Sequence, residues 1–293
     1  MRIHLIDGTY ELFRAHFSKR PSHAGPDGKD LKATVGVVQS LQGLLDDSQE
    51  AVTHLAVAFD NPIVCFRNDL FASYKSDEGI PVELRSQFDD VEAAVAAMGI
   101  VVWSMDEFEA DDALAAGAAK FAADPRVSQV RILTPDKDLG QCLHGDRVVQ
   151  VDRMRNKLIT EATQLAQKGL HPSSVPDFLA LVGDTADGIP GIDGWGEKGT
   201  AEVLLAYRHL EEIPTHPYQW RVKPRGAEKM AAALAGELKN ALLYRTLATL
   251  RTDVPLAESI ERLEWKGVPR DKFEGWCAKT GTALMGRVKR YAG

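Results

Sequence analysis

Nine acidic side chains in this sequence fall into five short clusters: Asp7 in LIDGTY, Asp60 in VAFD, Glu109, Asp111 and Asp112 in EADDAL, Asp136 and Asp138 in TPDKDL, and Asp184 and Asp187 in GDTADGIPG. Each cluster stands where an apolar run hands over to a loop or a helix signal. Carboxylates gathered that closely repel by ~3 kcal/mol per pair at ~5 Å and an effective dielectric of ~20, so bound cations are needed to make the nest tolerable. Oxygen ligands without His or Cys select hard ions, Mg²⁺ or Mn²⁺, rather than zinc. The eight histidines show no HxxxH or HxH spacing, in keeping with that choice. The chemistry expected of such a set is metal-dependent attack on phosphate.

One DxD pair alone is weak, because paired acids on a loop are common and usually solvated. A helix cap or turn role could account for Asp112 or Asp187. It does not account for all nine, since acids ending apolar strands point into a sheet crevice, where a lone charge is costly.

The elements that must position these acids are legible as apolar runs: RIHLID, THLAVAFD, GIVVWSM, VRILTPD and RVVQVD, alternating with helical patterns. That alternation predicts an α/β fold with a central parallel sheet flanked by helices, which gathers ligands at the carboxyl ends of its strands. Glu109, Asp111 and Asp112 open the helix ADDALAAGAAKFAA, where acids suit the positive end of the dipole. A long polar insertion covers about 62–90. Beyond about residue 160 the strands cease, giving an α/β core over 1–160 and a helical subdomain over 161–293, whose THPYQWRVKPRG stretch reads as an interhelical loop.

The net charge is −7, but it is unevenly spread. Residues 1–150 hold 14 Lys and Arg against 24 Asp and Glu, and residues 151–293 hold 21 against 18. An acid nest explains the first imbalance, and a phosphate-tracking surface explains the second. Three cysteines, Cys65, Cys142 and Cys277, without CxxC spacing argue for buried thiols and a reducing compartment. The start, MRIHLIDG, reads as a strand, and no apolar run is long enough to span a membrane, so a cytoplasmic, soluble protein is expected.

Around the acids, GIPGIDGWGEKGTAEVLL places Gly191, Gly194 and Gly196 before a helix, with Lys198 in its first turn. This is the pattern of a helix-hairpin-helix over about 184–206 whose free amides meet a phosphate. In isolation it would be a plain Gly-rich turn; its place directly after GDTADGIP favours the phosphate. In the insertion, Tyr74 could stack on a base and Lys75 meet a phosphate, though an ordinary helix aromatic and a solvated lysine fit the local sequence equally well. Arg14, Arg67 and Arg85 are further candidate DNA contacts, and the five tryptophans read as core.

With these residues in view, the chain resembles the 5′-nuclease family: the amino-terminal domain of bacterial DNA polymerase I and the stand-alone bacterial and phage flap endonucleases. LIDGTYELFRAHF, VAFD with FRNDLFASYK, EADDALA, TPDKDLGQCL, FLALVGDTADGIPGIDGWGEK and RGAEKMAAALAGELKNALLYRTLATLRTDV carry the likeness in order, over nearly the whole length. The resemblance implies a PIN-like, resolvase-like nuclease core. It implies a first metal site formed or supported by Asp7, Asp60, Glu109, Asp111, Asp112 and Asp136, and a second formed by Asp138, Asp184 and Asp187. It also implies contacts from Arg14, Tyr74 and Lys75 to a frayed 5′ end or scissile phosphate, and from Gly194, Gly196 and Lys198 to duplex backbone, with K⁺ at the hairpin carbonyls. Since no polymerase segment follows, the resemblance is to the stand-alone type.

Two positions depart from the family pattern. Glu78, preceded by Asp77, stands where a basic residue is common, and Gly199 stands where the polymerase I type has Thr. The function expected is a structure-specific 5′ nuclease, monomeric, hydrolysing 5′ flaps and 5′ ends of DNA, RNA-primed strands among them, by two-metal-ion catalysis in replication and repair. The alternatives are a branched-DNA-binding module with feeble cleavage, a PIN-like ribonuclease, and a phosphatase using a catalytic DxD.

Overall fold

A computed structural model describes all 293 residues. The first half of the chain runs β1 (Arg2–Asp7), α1 (Gly8–Phe17), α2 (Lys32–Leu45), β2 (His54–Asp60), α3 (Phe66–Leu70), α4 (Val82–Arg85), α5 (Phe88–Ala97), β3 (Val101–Met105), α6 (Ala110–Ala122) and β4 (Gln129–Leu133). It continues with β5 (Val148–Asp152), β6 (Lys157–Ile159), α7 (Glu161–Lys168), α8 (Val175–Val182), α9 (Glu197–Tyr207), α10 (Ala227–Ala248) and α11 (Arg270–Thr280). No helix is long and apolar enough to cross a membrane.

Two compact units emerge, and they cut across linear order. The first comprises residues 1–63, 77–134 and 252–293; the second comprises 64–76 and 135–251. The final 42 residues therefore belong with the sheet-bearing unit, whereas the division at residue 160 reads along the chain alone. Trp265 ties that carboxy-terminal segment down by donating from its indole nitrogen to the Met98 carbonyl at 3.0 Å.

In the first unit four parallel strands lie in the order β3-β2-β1-β4, with Ile3 opposite His54, Arg2 opposite Gln129 and Ala56 opposite Val101. β1 and β2 are buried along nearly their full length, as continuous apolar runs covered on both faces should be. The chain leaves β1 through Gly8, where a Cβ would lie 2.4 Å from the Phe59 ring and 2.7 Å from the Ala58 carbonyl oxygen. Only glycine lets α1 begin that close to β2. The alanine-rich α6 reaches the sheet through Gly117, which faces Trp103 and Leu5.

In the second unit β5 and β6 form an antiparallel pair, with Gln150 opposite Ile159 and Asp152 opposite Lys157. The three-residue β6 was not expected, because KLI is too short to show a period. The core of this unit gathers Leu179 of α8, Trp195, Val203 and Leu204 of α9, Trp220, and Met230, Leu234 and Tyr244 of α10. All five tryptophans are buried, at 8 % exposure or less. Cys65 and Cys277 are buried, and Cys142 is partly exposed.

Candidate active site

The acids of the first unit are held mainly by backbone amides. Asp7 ends β1 and caps α1, one carboxylate oxygen accepting from Tyr10 N at 2.8 Å and the other from the Thr134 hydroxyl at 2.9 Å. Asp60 ends β2 and accepts from Ala110 N, at the start of α6, at 2.7 Å, while its own amide donates to Thr9 Oγ1 at 2.8 Å. Glu109 is the N-cap of α6, and Asp112 closes the capping box by accepting from the Glu109 amide at 3.0 Å. Asp7, Asp60, Glu109 and Asp112 are all buried, and Asp111 is partly exposed. The dipole of α6 thus faces Asp60, and register sets Asp7 opposite Ala58, two residues before Asp60, so both acids stand at the carboxyl edge of adjacent strands.

The second unit holds a tighter group. Asp138, Asp184 and Asp187 each bring a carboxylate oxygen within 4.8 Å of the others. Asp136 braces the turn by accepting from the Asp138 amide at 2.9 Å, and its carbonyl oxygen accepts from Gln150. Asp184 and Ile189 exchange backbone bonds of 2.8 Å, closing the loop that carries Asp187. Gly191, at φ 74°, lets that loop fold back, since a Cβ there would lie 2.6 Å from Gly183 N. Asp138 is 6 % exposed, and burial together with Asp136, Asp187 and Asp184 pushes its carboxyl well above the usual range. Its Oδ1 is buried and accepts no hydrogen bond. A buried carboxylate oxygen left over among three acids is a donor set for a hard cation.

Two lysines enter this group. Lys137 Nζ lies 2.8 Å from Asp184 Oδ2. Burial would lower its pKa, but Asp184, with Asp138 and Asp136, raises it instead. Sequence reasoning passed over Lys137, although it stands between the two acids of DKD. Lys75 Nζ is 3.5 Å from Asp187 Oδ1, and its amide donates to the Asp187 carbonyl at 3.1 Å. Gly188, at φ 73°, permits this approach, because a Cβ there would lie 2.2 Å from Ser73 O.

Several expected DNA contacts are engaged otherwise. Arg67 is 0 % exposed; its guanidinium donates to the carbonyls of Leu247 at 2.7 Å and Thr249 at 3.1 Å, so it braces the end of α10 rather than facing a ligand. Tyr74 is 4 % exposed within the second unit's core and is no open stacking platform. Arg14 is paired with Glu11 and bonds Ser40 Oγ at 3.0 Å. Arg85 pairs with Asp77 at 3.1 Å and covers the Phe88 ring at 4.6 Å, so the acid that precedes Glu78 meets a local cation.

The hairpin is exposed at Gly194 and Gly196. Gly194 sits at φ 84° and Gly196 is the N-cap of α9 without a side-chain cap, leaving first-turn amides for an anion. Gly194, Gly196 and Lys198 are exposed.

Residues 2–169 match the family described as 5′-3′ exonuclease, N-terminal resolvase-like domain, and residues 170–271 match 5′-3′ exonuclease, C-terminal SAM fold. The chain is 35 % identical to DNA polymerase I of Pseudomonas aeruginosa over 277 residues, covering 91 % of this chain and 29 % of that protein. It is 32 % identical to DNA polymerase I of Mycobacterium leprae, with 92 % and 29 % covered. It thus spans under a third of the length of these relatives. Among solved structures, zinc-bound T5 5′-exonuclease aligns with a TM-score of 0.67 at 16 % identity, covering 94 % and 97 % of the two chains. A variant of the bacteriophage T5 flap endonuclease, in a pseudo-enzyme-product complex with DNA and metal ions, aligns at 0.62 and 18 %, covering 86 % and 90 %. The matched models, which together run from residue 2 to 271, show that this chain belongs to the 5′-3′ exonuclease family.

Proposed function

We propose that the chain is a structure-specific 5′ nuclease that hydrolyses phosphodiesters at 5′ flaps and 5′ ends of DNA. The observation that carries this reading is the Asp138, Asp184 and Asp187 group with its unsatisfied Asp138 oxygen. In this reading Asp138, Asp184 and Asp187 hold one divalent ion, and Asp7, Asp60, Glu109, Asp111, Asp112 and Asp136 form or support a second site. Mg²⁺ or Mn²⁺ so held supplies Lewis acidity and neutralises charge on the phosphoryl oxygens.

The protein's own groups do the rest. Lys75, whose ammonium lies 3.5 Å from Asp187 Oδ1, would meet a phosphate oxygen once the acids are neutralised. The amides of Gly196 to Gly199 and the Lys198 ammonium track duplex backbone without reading sequence, and K⁺ at the hairpin carbonyls would add to that grip. The helical subdomain within 161–293 is the duplex-binding part, and cutting then follows strand shape. A cytoplasmic, monomeric protein acting in replication and repair fits this role.

The test is incubation of 5′-labelled flap, overhang and blunt duplexes with Mg²⁺, Mn²⁺ or chelator. Ion-dependent cuts near the junction or 5′ end, leaving 5′-phosphate and 3′-hydroxyl, are expected. Tight binding without any cut under either ion would favour a branched-DNA-binding module.

A further inference from the structure

Between α9 and α10 runs a loop, residues 214–226, whose Trp220 packs into the core of the hairpin's unit. Its sequence, PTHPYQWRVKPRG, contains Arg221, Lys223 and Arg225 and no acid. Tyr218 is 80 % exposed, and its ring stacks on His216 with centroids 5.3 Å apart and planes 13° from parallel. An exposed pair of stacked rings is not left there by slackness, because the loop is anchored on both sides. Trp220 is 5 % exposed, donates to the Pro214 carbonyl at 2.7 Å, and packs on Trp195 of the hairpin at 6.0 Å. Arg221 N donates to the Tyr207 hydroxyl at 2.7 Å.

The loop also continues the hairpin surface. A Cβ at Gly199 would lie 3.3 Å from Met230 Cε and 3.7 Å from Pro224 Cβ. The glycine that departs from the polymerase I pattern therefore faces the loop's end and the start of α10 from the first turn of α9. Tyr218, Lys223 and Arg225 are all exposed within the same short loop.

We infer that this loop is a second nucleic-acid contact, one that binds unpaired nucleotides of a DNA strand continuing beyond duplex held at the hairpin. A base stacks on Tyr218 backed by His216, and Lys223 and Arg225 meet the adjoining phosphates. A flat, preoriented ring in a loop that carries cations and no acid has the chemistry that grips single strands without regard to sequence. The inference rests on the proposed nuclease reading for the duplex, but not on cleavage.

The experiment is fluorescence anisotropy, in chelator, of blunt duplex and of duplexes with a 5′ or a 3′ single-stranded extension. Tyr218→Ala should weaken binding of at least one extended duplex roughly tenfold while changing blunt-duplex affinity by no more than about twofold. Tyr218→Trp should restore it, and K223A/R225A should weaken the same duplex and flatten its salt dependence. Unfolding midpoints should match wild type, since none of these side chains is in the core. Equal losses on blunt and extended DNA, or no loss with Tyr218→Ala, overturn the inference even where wild-type protein cuts flaps. If wild type binds neither duplex, the nuclease reading fails and this one fails with it.

Discussion

Lys137 Nζ and Asp184 Oδ2 lie 2.8 Å apart in the group that also holds Asp138 and Asp187, so a fixed ammonium offsets part of the acid charge when no ion is bound. A divalent ion must compete with it. Lys137→Met should therefore lower the unfolding midpoint in chelator and enlarge the rise produced by Mn²⁺, because the acids lose their internal cation. Calorimetric melts with and without Mn²⁺ check this; an unchanged Mn²⁺ increment would count against ion binding there.

Gly191 holds the acid loop closed at φ 74°, with Gly183 N 2.6 Å from where a Cβ would stand. Gly191→Ala should destabilise by about 2 kcal/mol or more, through backbone strain plus the clash. It should also weaken Mn²⁺ binding, because Asp184 and Asp187 sit on the displaced turn. Denaturant melts and Mn²⁺ titration read the two effects separately.

Arg67→Ala should cost roughly 3 kcal/mol or more, since it empties a fully buried site and orphans the Leu247 and Thr249 carbonyls. The DNA affinity of the molecules that remain folded should be unchanged. Anisotropy below the melting range, with the folded fraction fixed by circular dichroism, decides between this bracing role and direct DNA contact.

Glu50 supplies a pH signature away from the acid clusters. Its hydrogen bond from His4, with Arg131 beside it and against the effect of burial, lowers its pKa from 4.5 to about 2. The folded value is below the unfolded one, so the stabilisation is complete above about pH 4.5 and is lost as pH falls through about 2. Discounted for partial exposure, it is on the order of 1 kcal/mol. Melts of Glu50→Gln and wild type should differ by a constant amount near neutrality and converge at low pH; a gap that widened on acidification would reverse the sign.

How far the sequence could be read depended on whether a signal was local. β1 and β2 were legible because six or seven consecutive, mostly apolar residues ending in Asp7 and Asp60 have one economical reading, and their register then places both acids at one edge. A capping role for Asp112 was open from its place at a helix start, and the structure shows it closing the capping box of α6. The burial of Arg67 was not legible because its partners lie about 180 residues away, and an arginine's sequence signature is the same inside or outside. The burial of Tyr74 was hidden for the same reason: an amphipathic ring in a polar insertion gives no sign of which side it faces. Tyr218 was passed over as part of a Pro-rich loop, since exposure is a property of the anchored Trp220 turn and not of composition.

The central claim is that carboxylates brought together from remote stretches of chain hold the ions that cut DNA. The most direct test compares Asp138→Asn and Asp184→Asn with wild type on one 5′-flap substrate, measuring single-turnover cleavage in Mn²⁺ and flap affinity in chelator. Cleavage lower by at least about a thousandfold, with affinity held within a few fold, is predicted. Cutting at the wild-type rate by either variant would contradict the account.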